Sequence, residues 1–218
     1  MKIQISRLFL LLCLAGTFIA GGCKKDYTTG GSLSNPVTPL NNMDYLSANQ
    51  YHQFDSTVMI INKLGLATEV NNAKTFFAFT DFSVLLYMNL KLAARQNINP
   101  AAVYTIDSLV KEISADSVRQ YMFNQTIELS SATLYTPPNY IIPTVTSLGN
   151  TTMVAYRQLQ AAAPYTNMTV APTYLLYFGK TAAGGPPTGV LCQTTGIKTS
   201  NGNTTLHVLA DTHIFARF

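Results

Sequence analysis

The sequence predicts an α+β fold, with helices in the first half packed on a mainly antiparallel sheet or wedge-shaped sandwich built largely from the second half. Three observations carry that expectation. In Lys74–Leu90, KTFFAFTDFSVLLYMNL, an apolar aromatic run stops abruptly and a helical pattern takes over. Up to about Ile127 the apolar residues recur at helical spacing, and beyond it the chain turns to β-branched and aromatic runs broken by Gly, Pro and Asn. Asn201-Gly202 sits between two such runs and is the strongest short hairpin signal, because both residues tolerate positive φ.

The strand-to-helix switch organises the rest. Thr75–Phe79 reads as a buried strand, expected at the centre of the sheet with the C-terminal strand beside it. Thr80 and Asp81 break the run, and the Asp81 carboxylate is placed to accept from the first-turn N–H groups of the helix that follows. Phe82, Leu85, Leu86 and Leu90 continue at helical spacing. Upstream, Tyr51, Phe54, Val58, Ile61 and Leu64 keep a helical rhythm that Gly65 can end in a left-handed turn. Downstream, Asn99-Pro100 predicts a helix start whose buried face is Val103, Ile106, Val110 and Ile113, and a short helix is expected over Ala115–Asn124. Strands are then expected at Glu128–Tyr135, Thr151–Gln158, Thr173–Phe178, Val190–Ser200 and from Thr204 onward, with a turn at Leu148-Gly149-Asn150.

The chain starts differently. Lys2 and Arg7 precede the apolar stretch Leu8–Ala20, which is short for a bilayer span, and Ala20-Gly21-Gly22 stand directly before Cys23. This resembles a bacterial lipobox, in which the thiol of the cysteine takes a diacylglyceryl group and the signal is removed before it. The other reading is an ordinary signal peptide with a chance cysteine. The expected organisation is a signal over 1–22, a lipidated tether over 23–42 rich in Gly, Ser, Thr, Asn and Pro, and one domain over 43–218. Lys24-Lys25-Asp26 resembles the short charged export stretch of Bacteroidetes-type lipoproteins. Cys192 is then the one thiol of the mature chain and reads as a small buried core residue.

Composition removes several functions. With 47% hydrophobic and 11% charged residues, the chain is not of the disordered, charge-rich kind. Taking Lys2 and Arg7 from the 14 basic residues leaves 12 against 10 acidic, a net of +2, without a basic run to follow a phosphate backbone; nucleic acid is not an expected partner. Gly-x-Ser-x-Gly, His-Glu-x-x-His and phosphate-binding Gly loops are absent from the sequence, so no catalytic residue is assigned. His207 and His213, six apart on one strand, would lie about 20 Å apart and share no metal unless the chain turned between them. His52 reads as a surface residue, and no metal or cofactor is expected.

Two segments resemble the fasciclin-type (FAS1) adhesion domain. Thr75-Phe76-Phe77-Ala78-Phe79-Thr80-Asp81-Phe82 is similar to the family's first conserved segment, with Phe79 where the family has proline. Asn201-Gly202 followed by His207-Val208-Leu209-Ala210-Asp211 is similar to its last, with extra residues after Gly202. The resemblance covers about residues 43–218. It implies structural roles for Thr75, Phe77, Thr80, Asp81, Asn201, Gly202 and His207, and a FAS1-like wedge-shaped β-sandwich. Arg119–Asn124 resembles the family segment that leads to a Tyr-His pair associated with adhesion; no histidine stands near this segment in sequence, so that motif is not carried over.

The function so implied is non-catalytic: a cell-envelope lipoprotein, lipid-anchored to the outer membrane, that binds a glycan, a matrix component or a protein partner. The alternative is a structural accessory subunit of an outer-membrane transport or polysaccharide-utilisation complex. Tyr135, Tyr140 and Tyr165 lie in loops where their rings could stack on sugar faces; the alternative is packing at sheet edges with hydroxyls in water. Asp55-Ser56-Thr57, Asp107-Ser108-Leu109 and Asp116-Ser117-Val118 resemble Bacteroidetes O-glycosylation acceptor tripeptides.

Overall fold

Thr75–Ala78 forms strand β1, and all four of its residues are buried. The computed structural model describes residues 36–137, 142–160, 173–181 and 186–218, and these belong to one compact unit, Asn35–Phe218. Helices α1 (Asn42–Ser47), α2 (Asp55–Lys63) and α3 (Ala67–Asn72) precede β1. After it come α4 (Asp81–Gln96), α5 (Ile106–Glu112) and α6 (Asp116–Arg119). The remaining strands are β2 (Met122–Phe123), β3 (Thr133–Leu134), β4 (Thr144–Thr146), β5 (Thr152–Leu159), β6 (Tyr174–Thr181), β7 (Pro187–Thr199) and β8 (Thr204–Leu209). The fold is α+β, with helices ahead of most strands.

The strands join in the order β2-β1-β8-β7-β6-β5-β3, with β4 also paired to β5. Two pairings are parallel, β1 with β8 and β3 with β5; the others are antiparallel. Long β7 joins the two halves of this curled sheet. Its first part pairs with β6 and its second with β8, and the β8 register shifts between Cys192 and Thr194 and again before Ile197. Gly196 lies in that irregular stretch at φ +75°, a left-handed conformation that glycine adopts without a Cβ clash, so the strand can bulge and bend there. The C-terminal strand does lie beside β1, but β1 is second from an edge rather than central.

The core is aromatic. Phe77 stacks on Phe178 at 4.0 Å between ring centroids and on His207 at 4.9 Å, with Phe123 edge-on at 5.8 Å. Phe79 meets Phe215 at 4.6 Å and Tyr121 at 5.1 Å. Met43, Leu46, Phe54, Ile60, Ile61, Leu66 and Val70, from the helical layer, belong to the same buried cluster. Cys192 is buried in it, as its apolar surroundings in sequence predict, and burial holds its thiol well above the ordinary range.

Several local expectations are corrected. On α4 the residues facing the core are Ser83, Val84 and Tyr87, whereas Phe82, Leu85, Leu86 and Leu90 are exposed, Phe82 by 56%. Both sets satisfy helical spacing. Tyr87, packed edge-on against Phe215 at 5.8 Å, marks the face that the core takes. The helix predicted from Pro100 starts at Ile106: Asn99 closes only a turn, accepting from Ala101 N, while the Thr105 hydroxyl caps α5 by accepting from Ser108 N. Val103 is consequently exposed. The helix expected over Ala115–Asn124 shrinks to α6, because Met122 and Phe123 pair with β1 instead. Tyr51 is outside α2 and exposed, and Gly65 ends that helix at φ +68° as predicted. The strand expected over Glu128–Tyr135 is reduced to Thr133–Leu134.

Chain assigned in sequence to the tether lies on the sheet. Val37 bridges Lys198 in parallel, Lys198 N donates to Pro36 O and Ser200 N to Leu40 O. Among the described residues no helix is long and apolar enough to cross a membrane. The signal, Cys23, Tyr140 and Tyr165 lie outside the described residues.

Candidate functional site

The two family-like segments come together along β1 and β8, where Phe77 pairs with His207 in register. Thr80 Oγ1 donates to Asp211 Oδ1 at 2.8 Å, joining the ends of both segments. Asp81 does not cap its own helix. It is the first residue of α4, and its carboxylate instead accepts from Ser56 N at 2.8 Å and from Thr57 N at 3.4 Å, so it caps α2. The reason is local: Phe54, at the α2 N-cap, has no side-chain acceptor, and Thr80 takes the N-cap of α4. Burial raises the Asp81 carboxyl pKa, against the pull of those two N–H groups. Asp81→Ala is expected to cost about 1–2 kcal/mol in urea unfolding, and Asp81→Asn, which keeps an acceptor, less than half of that. At the other motif, Ser200, Asn201 and Gly202 have φ of +51°, +56° and +93°, and this left-handed run turns β7 into β8.

His207 is wholly buried. Its Nδ1 accepts from Gly196 N at 3.2 Å and its Nε2 donates to Ile127 O at 2.9 Å, which fixes the neutral Nε2–H form. Burial pushes its pKa down to about 4. Thr75 helps from β1: its hydroxyl donates to Gln125 O and accepts from Ile127 N. Together they tie the bend of β7 to the segment that continues into Glu128.

That segment forms one wall of an open cleft of ≈ 670 Å³ lined by Glu128, Leu129, Ser130, Arg157, Thr173, Tyr174, Gly196 and Lys198. Strand alternation explains how Arg157 and Tyr174 meet. Arg157 pairs with Leu176, and Tyr174 lies two residues along β6 on the same face, within diagonal reach of a long side chain. The same face carries Met153 on β5 and Leu176 and Phe178 on β6, all buried. The core face thus ends, at its open edge, in a cation over a ring: the Arg157 guanidinium sits 4.8 Å from the Tyr174 ring centroid. Arg157 Nη1 donates to Ser130 O at 3.3 Å, while Arg157 Nε is buried with no partner among the described residues. Opposite, Lys198 Nζ donates to Glu128 Oε1 and, at 2.9 Å, to Thr205 Oγ1. The Lys198 ammonium holds the Glu128 carboxyl below its usual range.

Of the tyrosines singled out from sequence, only Tyr135 is described. It is half-buried in a second small cluster, edge-on to Tyr156 at 5.5 Å, with Tyr177 stacked on Tyr156 at 5.4 Å and Ile142 and Val154 beneath. The cleft at Arg157 and Tyr174 was missed. A signal was available: in the inward phase of β5, Met153 and Ala155 are apolar and Arg157 is not.

The histidines are not a shared site. The chain turns after β8, where His213 N donates to Ala210 O, and His213 Nε2 hydrogen-bonds the Tyr121 hydroxyl at 2.7 Å. This hydrogen bond joins two residues 92 apart in sequence, and both side chains are buried. Burial pushes His213 down to about 4. His52 is exposed beside Asp55. Among the described residues no group of three or more His, Cys, Asp or Glu is placed to hold a metal ion. Compared with known proteins, the chain matches no family model and no curated sequence.

Proposed function

We propose that the chain is a non-catalytic, cell-envelope lipoprotein of fasciclin type, anchored to the outer membrane through Cys23, that binds glycan in the cleft at Arg157 and Tyr174. The observation that carries the binding reading is the cleft itself: a half-exposed tyrosine ring, a guanidinium with donors that have no partner among the described residues, and further polar groups from Glu128, Ser130 and Lys198 around an open volume large enough for a sugar unit. A pyranose offers an apolar face to a ring and hydroxyls to its surroundings, which these groups match. The fasciclin reading is supported by the parallel pairing of β1 with β8 and by the Thr80–Asp211 hydrogen bond, which make one structural unit of the two segments that resemble the family.

A glycan-array screen of the detergent-purified protein tests the binding reading. Tyr174→Ala is expected to weaken array hits roughly tenfold, the scale of one lost ring contact, and Tyr135→Ala to leave them unchanged. A folded protein without reproducible hits refutes it.

One observation favours the accessory-subunit reading. Phe82, Leu85, Leu86 and Leu90 form an exposed apolar stripe along α4, and stripes of this kind often mark protein contacts. Cross-linked co-purification of a membrane partner that Leu86→Glu abolishes would establish it.

A further inference from the structure

We infer that the cleft selects sugars carrying one negative charge, as a carboxylate or a sulfate ester, over neutral sugars; this rests on the glycan reading of the same cleft. Its charged groups are two cations and one carboxylate. The carboxylate is already engaged: Glu128 accepts from Lys198 through Oε1 and from Ser130 Oγ at 3.3 Å through Oε2. Arg157 therefore faces the cleft with no carboxylate partner among the described residues. The cleft keeps a net charge of +1.

The form of that positive charge points to an oxyanion. A guanidinium has five N–H donors in one plane, and a carboxylate or sulfate oxygen pair matches its fork. Here the plane is steadied by the Tyr174 ring at 4.8 Å and by the Nη1 bond to Ser130 O. Nε is buried and one Nη1 hydrogen goes to Ser130 O, so the outer Nη1–Nη2 end of the group, beside the Tyr174 ring, is the part left to meet a ligand. Tyr174 itself can stack on a sugar next to the anionic group. Lys198, fixed by Glu128 and Thr205, adds positive field without being free to follow the ligand. A neutral sugar would leave the charge of Arg157 uncompensated in a partly desolvated wall.

His207 is the positioning residue for this arrangement. Its two hydrogen bonds hold Gly196 on one wall and Ile127, one residue before Glu128, on the other.

The test is calorimetric titration of the detergent-purified protein with three probes: a tetrauronate, its carboxyl-reduced neutral counterpart, and a sulfated galactan tetramer. The expected result is binding of at least one anionic probe about tenfold or more tighter than the neutral one. That preference should fall with added salt, disappear in Arg157→Gln and return only in part in Arg157→Lys, which keeps the charge but not the fork. Whether the uronate or the sulfate ester wins identifies the anionic group. Equal affinity for the neutral and anionic probes overturns the charge selection and leaves the glycan reading standing. No binding of any probe, by protein that still melts cooperatively, overturns both.

Discussion

Phe77→Ala is expected to destabilise the fold by about 4 kcal/mol, out of a total that for a domain of this size is roughly 5–15 kcal/mol. Phe77 is completely buried on β1. Its ring lies against Phe178 at 4.0 Å with 9° between planes, against His207 at 4.9 Å, and against the edge of Phe123 at 5.8 Å. Deleting it removes the transfer energy of a phenyl group, leaves a cavity between strands that cannot collapse onto one another, and loses three ring contacts. Phe77→Leu, which refills most of the volume, should cost less than half as much. Urea unfolding measures both. A loss below about 1.5 kcal/mol for Phe77→Ala would mean that the ring is not the centre of the core.

Acidification should have an effect of similar size. His207 and His213 are buried, and burial lowers both pKa values from 6.5 to about 4. Between pH 6.5 and 4 the unfolded chain therefore binds more protons than the folded one, so stability falls as pH falls through that window. At pH 5 the loss is about 2 kcal/mol for each histidine, relative to pH 7.5. Asp81 works the other way: burial raises its pKa, so the folded state takes up its proton first and acid relieves a strain there. Glu69 and Glu128 are lowered by their bonds to Arg119 and Lys198, and they add to acid destabilisation only below about pH 4.5, their ordinary range. Urea midpoints at pH 7.5 and 5 should differ accordingly, and His213→Leu should remove about half of the difference. A flat profile would show that the histidines are charged or solvated in the folded protein.

Much of the fold was legible because local and tertiary preferences agree. Thr75–Ala78 is apolar and β-prone, and it lies in a site buried on both sides. Asn201-Gly202 demands left-handed backbone, and the β7–β8 connection provides three such residues. The misreadings occur where two local solutions are equally good. On α4, Phe82-Leu85-Leu86 and Val84-Tyr87-Met88 are both helical stripes, and only the position of Phe215 favours the second. Asp81 is a good cap by type, but a cap for a helix that begins 26 residues earlier in the chain cannot be read from spacing. Met122–Phe123 has no strand pattern of its own until β1 is there to pair with it.

The cleft was hidden for the same reason. Arg157 and Tyr174 are separated by 17 residues and meet only through the β5–β6 register, while Glu128 and Lys198 come from two further segments. Loop tyrosines were the visible aromatic residues, yet Tyr135 proves to be half-buried against Tyr156.

The most direct test of the glycan-cleft account is amide hydrogen exchange of the detergent-purified protein with and without a saturating amount of whichever of the tetrauronate and the sulfated galactan tetramer binds more tightly. The account predicts added protection at Glu128–Ser130, around Arg157 and Tyr174 and at Gly196–Lys198, with none along Phe82–Leu90. Protection confined to Phe82–Leu90 or to the Tyr135 cluster, with the cleft unchanged, would contradict it.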